Sequence, residues 1–165
     1  MKTLYLVRHA KSSWKYPRLD DFERPLNKRG RKNAPFMGSI LRELKVSPDL
    51  IVSSPANRAA MTARIIAATL EYPLEDICYS EAIYEFGEKA LIDVVKEIDD
   101  DVNQAMVVGH NPATNGLANY IGDQSIGNIP TCGVFCVELD IASWSNIKEH
   151  CGKVKFFEYP KKHRS

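Results

Sequence analysis

Short apolar runs alternate with amphipathic segments along the chain, and this pattern predicts an α/β fold. The runs are rich in β-forming residues and end at polar residues, as the buried strands of a parallel sheet do. We expect strands at 4–7, 50–53, 77–79, 105–108, 134–139 and 154–159. We expect helices at 28–44, 56–70, 90–98 and 113–120. The alternation predicts a single domain over residues 1–165, a three-layer α/β/α sandwich with a mostly parallel central sheet.

The first helix has a clear start and an ambiguous middle. Asn27 precedes it and is predicted to be its N-cap. The apolar stripe of this helix recurs at three- and four-residue spacing and extends to Leu44. Pro35 interrupts the stripe, so the sequence predicts either a kink there or a second helix start capped by Asn33.

Three later segments complete the expected layout. Ser54-Pro55 predicts the start of the second helix, with serine as N-cap and proline at the first helical position. Residues 80–88 are predicted to form a loop. The last two strands have a short connection, which suits either an antiparallel pair or neighbouring edge strands.

Composition excludes several functional classes. Hydrophobic residues make up 44% of the chain and charged residues 26%, as in an ordinary globular protein. The formal net charge of +1 provides no overall field for binding nucleic acid or an anionic membrane. The basic segment Lys161-Lys162-His163-Arg164 is predicted to be a solvated tail.

The same features indicate a cytoplasmic location without a membrane partner. The N-terminal apolar run is too short for a signal peptide, and no stretch approaches the roughly 20 apolar residues of a membrane span. The spacing of the cysteines suits neither a zinc finger nor a disulfide framework, so we expect reduced structural thiols. They are Cys78, Cys132, Cys136 and Cys151.

Three predicted strands end in residues that carry similar chemistry. The first ends at Arg8-His9, the second leads through Ser54-Pro55 to Arg58, and the third ends at Gly109-His110. Because the carboxyl ends of parallel strands meet at one edge of a sheet, we expect these groups to converge. Arg58 would lie in the first turn of its helix, where backbone donors already favour an anion. Two arginines suit a dianion, and phosphoryl is the group we expect.

The two histidines can have different roles in phosphoryl transfer. One neutral histidine can attack phosphorus and form a covalent phosphohistidine, and nearby arginines favour that neutral form. The other histidine can hold a non-bridging oxygen as charge redistributes. Glu81 and Glu85, in the predicted loop at 80–88, are the candidates for an acid that protonates the leaving group.

These elements carry a resemblance to a known family. In chain order they are Arg8-His9-Ala10; Arg24-Pro25-Leu26-Asn27 with Gly30; Ser53-Ser54-Pro55 with Arg58-Ala59 and Thr62-Ala63; and Val108-Gly109-His110-Asn111-Pro112. Together they resemble the motifs of the histidine phosphatase superfamily, which has a phosphoglycerate mutase-like fold. Within it, the chain is most similar to the small SixA-like phosphohistidine phosphatases.

The resemblance implies a role for each site residue. His9 would be the phosphoryl-accepting nucleophile, and Arg8, Arg58 and His110 would form the phosphate pocket, with Asn111 beside it. In the family's mutases and broad-specificity phosphatases a glutamate acid lies a fixed few residues before a glycine. Neither candidate glutamate has that spacing to Gly87. No metal or other cofactor is implied, since two arginines and two histidines repel a cation.

Chain length bears on the substrate. Only 25 residues separate Tyr79 from Ala105, which leaves room for a loop and one helix but not for a capping subdomain. The resulting open pocket would admit a side chain presented by another protein. We therefore expect a metal-independent phosphatase that hydrolyses phosphohistidine on a protein partner through a covalent phosphohistidine intermediate.

Two alternatives remain open from the sequence. One is a phosphatase of a small phosphorylated metabolite, in which Glu81 or Glu85 acts as the acid. The other is a non-catalytic module that binds a phosphorylated ligand through the same arginines. The contributions of Lys11, Ser13 and Arg24 to phosphate binding are also left open at this stage.

Overall fold

Six strands form one central sheet in the computed structural model, which describes residues 1–163. The spatial order is β3-β2-β4-β1-β5-β6. In chain order the strands are β1 (Lys2–Arg8), β2 (Leu50–Ser53), β3 (Cys78–Tyr79), β4 (Gln104–Gly109), β5 (Val134–Leu139) and β6 (Gly152–Glu158). The first four strands form three parallel pairs, β1 with β4, β4 with β2 and β2 with β3. Strand β5 is antiparallel to both of its neighbours, β1 and β6. The mostly parallel sheet is thus confirmed, and the last two strands form an antiparallel pair.

Helices cover both faces of this sheet. They are α1 (Lys28–Glu43), α2 (Asn57–Thr69), α3 (Glu81–Glu85), α4 (Glu88–Lys96) and α5 (Ala113–Ile121). Successive side chains of a strand point to opposite faces, so β1 contributes to two cores. Tyr5 and Val7 pack in the core beneath α1 and α2. Leu4 and Leu6 pack in the core beneath α4 and α5. The predicted three-layer sandwich is therefore confirmed.

Helix α1 is a single helix that begins where the sequence predicts. The side chain of Asn27 accepts a hydrogen bond from the backbone N–H of Gly30, 2.8 Å away, which confirms the N-cap. Pro35 is in the middle of this helix, on its solvent-exposed face. The alternative prediction of a second helix capped by Asn33 was therefore wrong. The apolar stripe predicted for α1 included Leu44, which lies one residue beyond the end of the helix. Leu44 is the C-cap and is 45% exposed, because the chain leaves the helical path there.

Helix α2 starts later than the sequence predicts. Ala56 is its N-cap, so the assignment of that role to Ser54 was wrong. Residues 53–56 leave the sheet edge before turning into the helix, and the Ser54 hydroxyl accepts a bond from the N–H of Ala56 while also contacting His110. The loop prediction for 80–88 was also wrong in part, since this segment contains α3 and the start of α4.

The end of the described chain is exposed, and part of it forms ion pairs. Pro160–His163 forms a short 3-10 helix, and both Lys162 and His163 pair with the carboxylate of Glu158. Lys161, Lys162 and His163 are exposed, as a solvated tail would be, while Arg164 lies outside the described residues. No helix within residues 1–163 is long and apolar enough to cross a membrane. All of the cysteines are free thiols, as expected.

We expect Gly30→Ala to lower the free energy of unfolding by about 1–3 kcal/mol, the usual cost of overpacking. A Cβ at this position would stand 2.1 Å from the carbonyl oxygen of Lys11, and a backbone atom cannot move aside cheaply. Urea unfolding followed by tryptophan fluorescence measures the change. Gly127→Ala is the matched control, because nothing lies within 4 Å of its new methyl group. Equal stabilities of the two variants would contradict this account.

Candidate active site

Hydrogen bonds between strand ends bring the predicted site residues together. The register pairs Arg8 of β1 with Gly109 of β4, and the N–H of His9 continues the ladder to the Gly109 carbonyl at 3.0 Å. On the other side of β4, the N–H of Ser54 donates to the Val108 carbonyl at 2.9 Å. Three strands therefore deliver their functional residues to one edge of the sheet, as the sequence predicts.

The tautomer of His9 follows from its hydrogen bond. Its Nδ1 lies 2.7 Å from the carbonyl oxygen of Ala10. Since a carbonyl can only accept, Nδ1 carries the proton, and in the neutral ring the lone pair is on Nε2. Thr62 steadies this turn: its hydroxyl accepts from the N–H of Ala10 at 2.9 Å and donates to the carbonyl of Arg58 at 2.8 Å. The ring is thereby oriented with Nε2 available to an electrophile.

Both imidazoles are held in the neutral form. Burial lowers the pKa of His9 to about 4, and the charges of Arg58, Arg8 and Arg24 act in the same direction. The pKa of His110 falls to about 3, again chiefly through burial, with His9 and Arg58 as further causes. The lone pair on Nε2 of His9 is therefore available throughout the neutral pH range.

Two buried nitrogen atoms of the site lack hydrogen-bond partners within residues 1–163. The rings of His9 and His110 have centroids 5.1 Å apart. Nε2 of His110 lies 2.7 Å from the Ser54 hydroxyl, whereas its Nδ1 is buried without a hydrogen-bond partner among residues 1–163. Nε of Arg8 is buried and unpartnered in the same part of the chain, although its Nη1 donates to the Ile129 carbonyl at 2.9 Å. Such groups normally find an acceptor, and an anion would supply one.

Asp21 holds the arginines of the site, and the sequence analysis missed it. Arg58 donates to its carbonyl at 2.8 Å and to its carboxylate at 3.0 Å. Arg24 and the Tyr84 hydroxyl each donate to the same carboxylate at 2.9 Å. Partial burial would raise the pKa of Asp21, but the hydrogen bonds of Arg24 and Tyr84 and the charge of Arg58 lower it to about 2. Asp21 is thus ionised at neutral pH and fixes the guanidinium of Arg58.

A surface depression of about 270 Å³ opens at His9. Arg24 reaches it, with its guanidinium stacked 3.3 Å from the centre of the Trp14 ring and its Nε bonded to the carbonyl of Ser13. Ser13 therefore acts through its backbone, and Lys11 lies exposed on the rim. The lining residues are Arg8, His9, Lys11, Ser12, Trp14, Arg24, Arg58 and Thr131. The concentration of positive charge suits a phosphoryl group.

Three predicted residues have other surroundings. The Asn111 amide donates to Asn128 and to the Ile129 carbonyl, so it braces a loop, and its part in substrate binding stays a prediction. Glu81 and Glu85 are exposed on α3, and within residues 1–163 neither forms a hydrogen bond or ion pair.

Another glutamate lies nearer to the second histidine. Glu88, in the first turn of α4, lines a cavity of about 240 Å³ together with Tyr84, His110 and Asn111. No group of three or more His, Cys, Asp or Glu residues in the described part of the chain is arranged to hold a metal ion.

The missed residues lacked a local signal. Asp21 lies in a segment without hydrophobic periodicity, 37 residues before its partner Arg58. Tyr84 is 63 residues from Asp21, with which it bonds. The two arginines predicted beside His9 could have prompted a search for a balancing carboxylate, but they would not have selected Asp21 from its neighbours.

Comparison with known proteins agrees with this geometry. A sequence profile of the histidine phosphatase superfamily (branch 1) matches residues 4–87. The chain belongs to the histidine phosphatase superfamily. An uncharacterised chloroplastic protein of Arabidopsis thaliana is 30% identical over 87% of this chain and 69% of its own length. An uncharacterised protein of Mycobacterium tuberculosis is 28% identical over 94% of this chain and all of its own length.

Solved structures extend the comparison to the fold. A crystal structure from Agrobacterium tumefaciens, assigned as the phosphohistidine phosphatase SixA, superposes with a TM-score of 0.80 and 26% identity. The superposition covers 96% of this chain and 98% of that one. The phosphoglycerate mutase-like fold predicted from the sequence is confirmed, and the chain is a histidine phosphatase.

We expect Asp21→Asn to lower kcat/KM about tenfold, the loss of roughly one charge-assisted hydrogen bond, mainly through KM. The neutral amide holds Arg58 and Arg24 less firmly, so phosphate binding weakens. Steady-state hydrolysis of an aryl phosphate and inhibition by inorganic phosphate measure the effect. Asp20→Asn is the matched control, because the Asp20 side chain makes no cap hydrogen bond. Equal KM values for the two variants would show that Asp21 does not position the arginines.

Proposed function

We propose that this histidine phosphatase hydrolyses phosphohistidine on a protein partner, without a metal, through a covalent phosphohistidine on His9. One observation carries the proposal. Within residues 1–163, Nε of Arg8 and Nδ1 of His110 are buried without partners in the same site as a neutral His9 whose tautomer leaves Nε2 free. When the Ser54 hydroxyl donates to Nε2 of His110, the His110 proton lies on Nδ1. Three phosphoryl oxygens could then accept from Arg8, Arg58 and His110 while phosphorus faces Nε2 of His9.

Hydrolysis would take place in two steps. In the first, the lone pair of His9 Nε2 forms a bond to phosphorus as the P–N bond of the substrate breaks, and the departing imidazole takes up a proton from solvent. In the second, water attacks the phosphohistidine, which releases inorganic phosphate and restores neutral His9. The donors from Arg8, Arg58 and His110 stabilise the charge on the equatorial oxygens in both steps.

Features of the pocket support a nitrogen leaving group. An imidazole leaves more readily than an alkoxide, so a strong general acid is not required. Only α3 and α4 lie between β3 and β4, and no residue of either helix lines the depression at His9. A side chain carried on another protein can therefore reach the depression. The likeness to the SixA protein of Agrobacterium tumefaciens supports the same substrate class.

A phosphatase of a small metabolite is the second candidate, and Glu88, which lines one cavity together with His110, favours it. A carboxylic acid there could protonate a departing alkoxide. Separate Glu81→Gln, Glu85→Gln and Glu88→Gln variants discriminate between the candidates. If the phosphohistidine proposal is right, all three keep their rates on a phosphohistidine peptide. A glutamine variant that loses activity only on alkyl phosphates would identify the acid and favour the metabolite.

We expect a phosphoenzyme on wild-type protein and none on His9→Ala. Exposing each protein to a radiolabelled phosphohistidine peptide or an aryl phosphate, with chelator present and a rapid quench, should give a label that is labile in acid and stable in base. His150→Asn is the control, because that histidine is exposed and lies at φ 56°, a conformation that asparagine tolerates. Label on His9→Ala would refute the mechanism, and no label or turnover with either donor would favour the binding module.

We expect neither active-site imidazole to protonate between about pH 8 and about pH 5, since burial and the arginines keep both pKa values well below the ordinary value of about 6.5. The pKa of His9 is about 4 and that of His110 about 3. Nitrogen NMR of the rings follows the titration. Added vanadate should raise both values, because a bound anion offsets the arginine charges. Titration of either ring near 6.5 in the free enzyme would contradict the prediction.

A further inference from the structure

A basic surface leads away from the catalytic depression. Lys11 and Thr131 line both the depression and a neighbouring cavity of about 170 Å³, which also contains Arg29 and Lys161. That cavity adjoins a larger one of about 550 Å³, and the two share Arg29. We call this continuous surface the basic trough. Its cations are Lys11, Lys28, Arg29, Lys32 and Lys161.

The charge of the trough is one-sided. Among residues 1–163, no carboxylate lines either cavity or the depression, although the whole chain carries 21 acidic residues against 22 lysines and arginines. Within residues 1–163, none of the five trough cations forms an ion pair, and all five are exposed. The near-neutral composition therefore conceals a local positive field beside His9.

These cations oppose the stability of the helix that carries most of them. Lys28, Arg29 and Lys32 lie in the first turns of α1, and the first turn contains no acidic residue. The N-terminal end of a helix bears partial positive charge, which disfavours cations and favours carboxylates. A cluster that costs folding stability and has no ion-pair partner in the described part of the chain is best explained by an external anion.

The length of the trough favours a macromolecular ligand. Lys28 and Phe36, both in the larger cavity, are eight residues apart on α1, which corresponds to about 12 Å along the helix. The smaller cavity continues this surface to Lys11, at the rim of the depression. A single phosphate would occupy only a fraction of this span. Several carboxylates on a protein surface could engage it at once.

We infer that the basic trough binds a carboxylate-rich surface on the protein that presents the phosphohistidine. This inference rests on the proposed function and names the class of partner, an acidic phosphohistidine protein. The acidic surface lies along α1 while the phosphorylated side chain enters the depression past Lys11. Charge complementarity of this kind raises the association rate and selects among partners.

Arg29→Glu combined with Lys32→Glu tests the inference. The probes are synthetic peptides with one phosphohistidine flanked by glutamates, by serines or by lysines. Wild-type protein should hydrolyse the acidic peptide with the highest kcat/KM, and this preference should shrink as salt is added. In the double variant the acidic-to-basic ratio of kcat/KM should fall at least about tenfold, through KM, because electrostatic steering commonly changes association rates by that much.

A stability measurement distinguishes lost binding from misfolding. The double variant places glutamates near the N-terminal end of α1, so its Tm should rise by about 1–4 °C while its preference for acidic peptides is lost. Lys148→Glu combined with Lys153→Glu is the matched control. Lys153 pairs with Glu138, which pairs with Thr3, so Lys153 lies at the opposite end of the strands from His9. Lys148 lies in the connection that leads into that end of β6. This control should keep the wild-type preference.

The outcomes separate this inference from the proposed function. Equal hydrolysis of all three peptides by wild-type protein, or an unchanged preference in the double variant, would overturn the acidic partner and leave the phosphatase proposal intact. Inhibition by a single-stranded oligonucleotide but not by a glutamate-rich peptide would assign the trough to nucleic acid and overturn the inference. No hydrolysis of any phosphohistidine peptide, with aryl phosphate still hydrolysed, would refute both.

Discussion

The parallel pairing of β1 with β4 is the constraint on which the active site depends. Side chains alternate between two buried faces along β1, so a slip of one residue would exchange the two cores. Burial of both faces therefore fixes the register that sets Arg8 opposite Gly109. His9 and His110 follow these paired residues directly, which brings their rings to within 5.1 Å. The geometry of the nucleophile is thus a consequence of core packing.

Electrostatic balance is the second constraint, because two arginines beside two buried imidazoles repel one another. Neutral histidines add no further positive charge. The arginine charges are accordingly among the causes that lower the pKa values of His9 and His110. Asp21 supplies the remaining compensation through its ion pairs with Arg24 and Arg58. A carboxylate on Arg58 also resembles a phosphoryl oxygen in charge, so it holds the guanidinium in position before substrate arrives.

The sequence predicted those parts of the molecule that depend on local pattern. Buried strands and amphipathic helices have periodicities that can be read directly, and residues at strand ends converge by topology. Ser54 was misassigned because the same hydroxyl suits a helix cap and a histidine partner, and only the path of the chain after β2 decides between them. The Asp21 contacts to Arg58 and Tyr84 join distant segments, so no local pattern reports them.

The catalytic residues and the basic trough occupy different kinds of structure, and this separation bears on how partners are chosen. Arg8 and His9 are half-buried and follow a strand whose register is fixed by the core, so their positions are tied to the fold. Three of the five trough cations, Lys28, Arg29 and Lys32, lie on exposed positions of α1, where a change of side chain alters the surface charge without disturbing the core. Partner choice can therefore vary without altering the chemistry. The unfavourable placement of these cations at a helix N-terminus is consistent with a trade of stability for recognition.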